Sequence, residues 1–136
     1  MISKETLRLF LLIFLTLSFN PVSAAEEPLE IAYIEIYPII VTNYQRTKSR
    51  KPGFVQVEAE IAVYGPVALE VVEKHLPLVR DTIIEFIGFT DEAIIKDISQ
   101  RNQLRLDMKK RINSVLEKHT GYAYADDVLI TKFMWE

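Results

Sequence analysis

The sequence predicts an α+β domain in which a small, antiparallel-type sheet carries its helices on one face. Segment 54–64 alternates apolar and polar residues, which is typical of a strand with one buried face. Segments 66–89 and 102–119 instead carry apolar residues at helical spacing. Strand-like segments at 29–42 and 122–135 complete the order strand, strand, helices, strand.

The N-terminal residues have the pattern of an export signal. Lys4 and Arg8 precede an apolar and hydroxyl run at 9–19, and small residues lead to Ala24 and Ala25. A cleaved signal peptide with its processing site at these alanines is therefore predicted. A short membrane anchor is the competing interpretation, but the run falls well short of the about 20 residues that a membrane span needs.

Removal of residues 1–24 would leave a single domain, residues 25–136, with 14 basic and 18 acidic side chains and a net charge of −4. An acidic exported domain is a poor candidate for binding nucleic acid, which requires a basic surface. The chain has no cysteine, and this excludes disulfides, thiolate metal sites and a lipoprotein anchor.

The first strand and the segment after it contain two local features. Pro38 cannot donate a ladder hydrogen bond, so it places segment 29–42 at a sheet edge or at a bulge. The basic loop, residues 45–52, has four cationic side chains and no acidic one. It is interpreted as a solvated hairpin connection or as a contact with anionic lipid headgroups or an acidic partner.

Segment 66–89 is predicted to form the central helix. At about 100° per residue its apolar side chains cover an arc of roughly 200°, whereas a surface helix normally hides a stripe somewhat over 100° wide. We expect Ile83 and Ile87 to face the domain's own sheet and Val67 and Val71 to face a neighbouring subunit. Pro77 either kinks this helix or begins a second one.

The remaining helices have recognisable ends. Thr90, Asp91 and Glu92 supply a cap and first-turn acids for a short helix that reaches about residue 98. Gly121 is expected to end the last helix. Segment 122–135 is apolar on both sides, and such a strand belongs inside a sheet or at an interface.

No constellation of catalytic, metal-binding or cofactor-binding residues is evident. His75 is interpreted as a satisfied core histidine, and His119 as a helix-end residue that the helix dipole explains. Asp126 and Asp127 are adjacent in a strand, so their side chains would point to opposite faces. The sequence also lacks a glycine-rich phosphate loop and a nucleophile elbow. We therefore expect a protein that is not an enzyme.

Five segments, taken in order, resemble the flagellar basal-body-associated FliL family. No single motif is specific, but together the segments cover nearly all of the chain after residue 25. They are Tyr33-Ile-Glu-Ile-Tyr-Pro38-Ile-Ile-Val-Thr-Asn43, Phe54-Val-Gln-Val-Glu-Ala-Glu-Ile61, Leu76-Pro77-Leu-Val-Arg80-Asp81-Thr-Ile-Ile84, Leu104-Arg-Leu-Asp-Met-Lys-Lys-Arg-Ile-Asn113 and Asp127-Val128-Leu-Ile-Thr-Lys-Phe133.

The resemblance implies a periplasmic domain of stomatin-type fold, tied to the inner membrane by one N-terminal helix. It further implies assembly into homo-oligomers around the stator units or other basal-body components, in support of torque for swimming, swarming and chemotaxis. No catalysis and no cofactor are implied. Because the apolar run here is short and leads almost directly into the first strand, we expect a soluble periplasmic member, or one held at the membrane by partners.

The family match also marks Arg80 and Asp81 as candidate interface residues. Their alternative interpretation is a solvated turn ordered by Glu73 or Lys74. Two other functions remain open at this stage. A generic periplasmic binding or chaperone-like module would use the apolar surface of the central helix, and a small hydrolase would need catalytic groups converging from distant segments.

Overall fold

The computed structural model describes residues 29–136, together with Lys4, so the predicted signal segment with Ala24 and Ala25 lies outside the described residues. Residues 29–136 form a four-stranded sheet and four α-helices, with a 3-10 turn at Ile98–Gln100 before the last helix. The elements are β1 (Ile31–Glu35), β2 (Ile40–Tyr44), β3 (Gly53–Tyr64), α1 (Gly65–Lys74), α2 (Leu76–Gly88), α3 (Glu92–Lys96), α4 (Arg101–Thr120) and β4 (Asp127–Trp135).

The long strand β3 is the centre of the sheet, and each of the other three strands pairs with it in antiparallel orientation. Val57 faces Ile40 of β2 on one side and Phe133 of β4 on the other. Ile61 likewise lies between Ile34 of β1 and Val128 of β4. Strands β1 and β2 therefore form two halves of one sheet edge, opposite β4.

The break between β1 and β2 occurs at Pro38. Glu35 pairs with Glu60 and Ile40 pairs with Val57, so the edge contains two more residues than the matching stretch of β3. The Ile36 amide still donates to the Ala59 carbonyl at 3.0 Å, and the pairing stops after it. The predicted edge position and irregularity at Pro38 are both confirmed.

The helices cover one face of the sheet, as the α+β prediction requires. Alternate side chains of β3 point into the core from Val55 to Val63, and the intervening side chains at its ends, Phe54 and Tyr64, are about half exposed. Helix α4 supplies Leu104, Met108, Ile112 and Leu116 from a single stripe to this core, and all four are buried. The opposite sheet face is not covered by any described element.

The central helix is not continuous. It divides at His75 into α1 and α2, and Pro77 is the second residue of α2, where no intrahelical N–H is needed. The expectation that His75 is a core histidine is wrong. The residue lies half-buried at the junction, where its Nδ1 donates to the Val71 carbonyl at 2.7 Å.

Strand β4 lies at an edge of the sheet, so of the two predicted positions the interior one is wrong, and a position at an interface stays a prediction. Its pairing with β3 shifts between Glu58 and Ala59 and leaves Thr131 without a partner. Before the shift the even-numbered side chains of β4 face the core, and after it the odd-numbered ones do. Ile130 and Phe133 therefore both pack against the core. The apolar character of both sides of this segment is largely a result of that bulge. The ends of α4 are close to those predicted, and Gly121 caps it with a left-handed φ of 89°.

Candidate interaction surfaces

Arg80 connects α2 to the irregular sheet edge. Its guanidinium donates to the Pro38 carbonyl and, at 3.4 Å, to the Ile39 carbonyl. These two carbonyls lie in the break between β1 and β2, where no strand can pair with them. In the alternative interpretation Glu73 or Lys74 orders this turn, but Lys74 instead pairs with Glu70 at 2.6 Å. Arg80 therefore stabilises the sheet edge from the neighbouring helix.

Asn113 performs a similar function at the other end of the chain. Its side-chain amide donates to the Ala125 carbonyl at 2.8 Å and accepts from the Ala125 amide at 2.9 Å. The pair fixes the connection between α4 and β4. Nearby, the Arg105 guanidinium binds the Asp127 carboxylate at the start of β4. Polar residues in the segments that carry the family resemblance thus connect parts of the fold that are distant in sequence.

The other candidate interface residues lie on exposed or partly exposed helix surface. Val67 on α1 is 65% exposed, and Val71, one turn later, is partly buried. Asp81 on α2 is exposed and has no ion-pair partner within residues 29–136. Helix α1 packs on β1 and β3, whereas α2 packs on β2 and α4. The two pairs of candidates therefore belong to different helices with different neighbours.

The basic loop lies at the end of the sheet where β2 turns into β3, next to α3. The amide of Glu92 donates to the Gln45 carbonyl at 3.1 Å, and its carboxylate lies 3.4 Å from Arg46 Nε and 2.6 Å from Lys96 Nζ. The hydrogen bond from Lys96, with the charges of Lys96 and Arg46, holds the pKa of Glu92 below its usual value. This network fixes the first half of the loop to the helical layer.

The base of the loop is closed by Tyr44 and Gly53, which are partners in the strand register. The Tyr44 ring lies over Gly53, and a β-carbon at that glycine would come within 2.1 Å of the ring. The Tyr44 hydroxyl donates to the Glu136 carbonyl at 2.9 Å. The glycine thus provides the space in which an aromatic ring joins β2 to the residue that follows β4.

Arg101 lies at the same end of the molecule. Its guanidinium carbon is 3.6 Å from the centre of the Phe133 ring, and it donates to the Ile95 carbonyl at 3.1 Å. Burial lowers the pKa of Arg101. The arrangement combines a cation–π contact with a helix-end hydrogen bond and connects α4 to β4.

The uncovered sheet face carries a groove beside the basic loop. Its volume is about 410 Å³, and Val41, Phe54, Gln56 and Met134 contribute to its walls from three adjacent strands. Val41 is 65% exposed, and Phe54 and Met134 are each 47% exposed. The sequence analysis identified the loop but not the groove, because the groove depends on how β2 and β4 align on β3.

Among the residues that the structure describes, no group of histidine and acidic side chains could hold a metal ion. Within the same part of the chain, no helix is long and apolar enough to cross a membrane.

Comparison with known proteins identifies a family and a relative. Residues 33–135 match the family model described as "Flagellar basal body-associated protein FliL". A protein of Aquifex aeolicus (strain VF5), described as "Flagellar protein FliL", is 32% identical over 65 residues, which are 48% of this chain and 40% of that protein. The alignment therefore spans less than half the length of that relative.

Proposed function

Since the chain belongs to the FliL family of flagellar basal-body-associated proteins, we propose that it is a non-enzymatic accessory of the flagellar motor. In this function it supports stator engagement and torque during swimming, swarming and chemotaxis. The observation that carries the proposal is the family match, which extends from β1 to the end of β4.

The domain acts in the periplasm, at the basal body beside the inner membrane, and its α+β fold is of the stomatin type. The export signal that the sequence pattern predicts at residues 1–24, with cleavage near Ala24 and Ala25, supports this proposed location. A retained anchor would place the same domain at the same membrane surface, so the functional proposal holds for either fate of the N-terminus.

The protein works as a homo-oligomer that contacts the stator or another basal-body component. Val67 supports this proposal, because a large apolar side chain that is 65% exposed on a well-packed helix is available to a neighbouring subunit. Val71 continues the same side of α1 one turn later. Asp81 offers a charged group on α2 that is engaged by no described residue.

Deletion of the gene tests the motor function. We expect flagella of normal number and length, with swimming speed that falls more steeply than in the parent strain as the medium becomes more viscous. Complementation with the wild-type gene should restore the speed. Unchanged motility at every viscosity would contradict the proposal, and so would loss of the filaments themselves.

A further inference from the structure

The groove and the basic loop form one continuous surface. Phe54, which lines the groove, follows the last cation of the loop, Lys51, after only two residues. Val41, Gln56 and Met134 form one row across β2, β3 and β4, just inside that end of the sheet. The largely apolar groove is therefore directly next to the positively charged basic loop.

The cations at this end are available to a partner, whereas the nearby acidic groups are engaged. Asp91 accepts from the Ala93 amide at 2.8 Å, Asp97 accepts from the Ser99 amide at 2.9 Å, and Glu92 pairs with Arg46 and Lys96. In contrast, Lys48, Arg50 and Lys51 are exposed, and none has a carboxylate within ion-pair distance among residues 29–136.

We propose that this surface binds an extended segment of a partner protein in which apolar side chains lie next to carboxylates. The apolar side chains occupy the groove over Val41, Phe54 and Met134, and the carboxylates face Lys48, Arg50 and Lys51. Charge complementarity supports this partner, because three cations that make no ion pair within residues 29–136, on a chain of net charge −3, attract and orient an anionic segment.

The shape of the surface also favours an extended segment. The groove crosses three strands on a sheet face that no described element covers, and its walls include both apolar side chains and the polar Gln56. Glu136 is the one carboxylate among the lining residues, and its backbone is held by two hydrogen bonds to Phe54. Glu136 thus lies at the loop end of the sheet, where its single negative charge is outnumbered by Lys48, Arg50 and Lys51.

The test titrates the protein with a synthetic peptide of alternating valine and glutamate and follows the heat of binding by isothermal titration calorimetry. We expect saturable binding that weakens as salt is added. The same titration with a peptide of alternating valine and lysine tests whether binding requires negative charge. Titration with phosphatidylglycerol vesicles tests whether the surface binds anionic lipid headgroups instead.

Two matched double variants locate the binding. Replacement Lys48→Glu with Lys51→Glu should weaken peptide binding by roughly tenfold or more, on the scale of exposed ion pairs that become repulsive. Replacement Lys110→Glu with Lys118→Glu makes the same charge change on the exposed side of α4 and should leave the affinity within about twofold. The variant Val41→Thr, which keeps the β-branched shape on β2, should also weaken binding.

The proposal is supported if the glutamate peptide binds and both the loop and the groove variants weaken it. Equal affinity for the lysine peptide would overturn it, as would a loop variant that binds as tightly as wild type. Binding of the vesicles but not of the peptide would also overturn it, because the surface would then bind lipid headgroups. None of these outcomes bears on the motility phenotype of the deletion strain.

Discussion

Arg80 shows how a single side chain can complete an irregular strand. The break at Pro38 leaves two carbonyls without strand partners, and the guanidinium supplies donors to both from α2. We expect Arg80→Ala to lower the free energy of unfolding by about 1–2 kcal/mol, because it removes charge-assisted hydrogen bonds from a partly exposed site. Urea denaturation followed by circular dichroism measures the change.

The adjacent residue is the control for this prediction. Asp81 is exposed and unpaired within the described part of the chain, so Asp81→Asn should change the free energy of unfolding by less than about 0.5 kcal/mol. Equal destabilisation by the two variants would contradict the assignment of Arg80 to the sheet edge. Lower self-association of Asp81→Asn at unchanged stability would support its interface role.

Asn113 makes two hydrogen bonds with one backbone residue, and both should be lost on truncation. We expect Asn113→Ala to lower the free energy of unfolding by about 1–3 kcal/mol, since the Ala125 amide and carbonyl would lose their partners in a partly buried site. Ser114→Ala, on the exposed side of the same turn, is the control and should be nearly neutral. Thermal unfolding of both variants in the same buffer measures the two changes, and equal stability of the two variants would contradict this prediction.

Glu92 gives a pH-dependent prediction. Its pKa in the folded protein is lowered, first by the hydrogen bond from Lys96, so its contribution to stability is present above the unfolded-state value of about 4.5. That contribution is lost as the pH falls through the folded-state pKa. We expect Glu92→Gln to be less stable than wild type at pH 7 and equally stable near pH 3. A stability difference that is independent of pH would show that the ion pairs of Glu92 are not its cause.

At the residue scale, the sequence predicted the features that depend on local conformation. Pro38 and Gly121 act through their own backbone geometry, and both behave as expected. The partners of Arg80 and Asn113 were not predictable. They are backbone carbonyl or amide groups that lie 42 and 12 residues away, and every residue type offers such groups.

At the scale of elements, the central helix divides into α1, which carries the exposed Val67, and α2, which carries the buried Ile87. Ile87 is fully buried beneath α2, and an aspartate there should unfold the domain, because an unpaired charge would be left in an apolar site. Val67→Asp should leave the fold intact because that side chain is already 65% exposed. Under the proposed assembly it should weaken self-association, which sedimentation velocity would detect.

The two valines differ in exposure, and this difference refines the experiment. Val71 is partly buried, so Val71→Asp should lower both stability and association, whereas Val67→Asp should lower association alone. If Val67→Asp unfolds the protein to the same extent as Ile87→Asp, the surface of α1 is ordinary core and the interface assignment is wrong. If Val67→Asp folds and associates as wild type does, another surface mediates assembly.

Two elements differ from their predicted form for reasons of long-range geometry. Pro77 was compatible with a kink or with a new helix, and the His75 junction shows that a new helix begins. The arc of roughly 200° assumes one continuous helix over residues 66–89, and it does not apply to two helices that separate at His75. The sequence of β4 has apolar residues at both even and odd positions, which favours an interior strand. The bulge explains this pattern, because it turns even-numbered and then odd-numbered side chains toward the core, and its position depends on the register with β3.

At the scale of the whole molecule, the sheet presents one covered face and one open face. The covered face accounts for nearly all of the buried apolar side chains, and this one-sided packing was predictable from the alternation in β3 and the stripe in α4. The open face and its groove were not, since their composition comes from three strands that are far apart in sequence.

The shared pairing of β3 also has a mechanical consequence. Residue 29 enters beside the C-terminal end of β3, and Glu136, which follows β4, lies at the other end beside Phe54, so opposing forces at these points act along the strands. Such forces load the hydrogen bonds that β1 and β4 make with β3 in shear instead of opening them one at a time. Optical-tweezer pulling between residues 29 and 136 should therefore give one abrupt rupture, and a gradual extension would exclude this behaviour. The long strand would thus allow a small domain to bear tension along its axis.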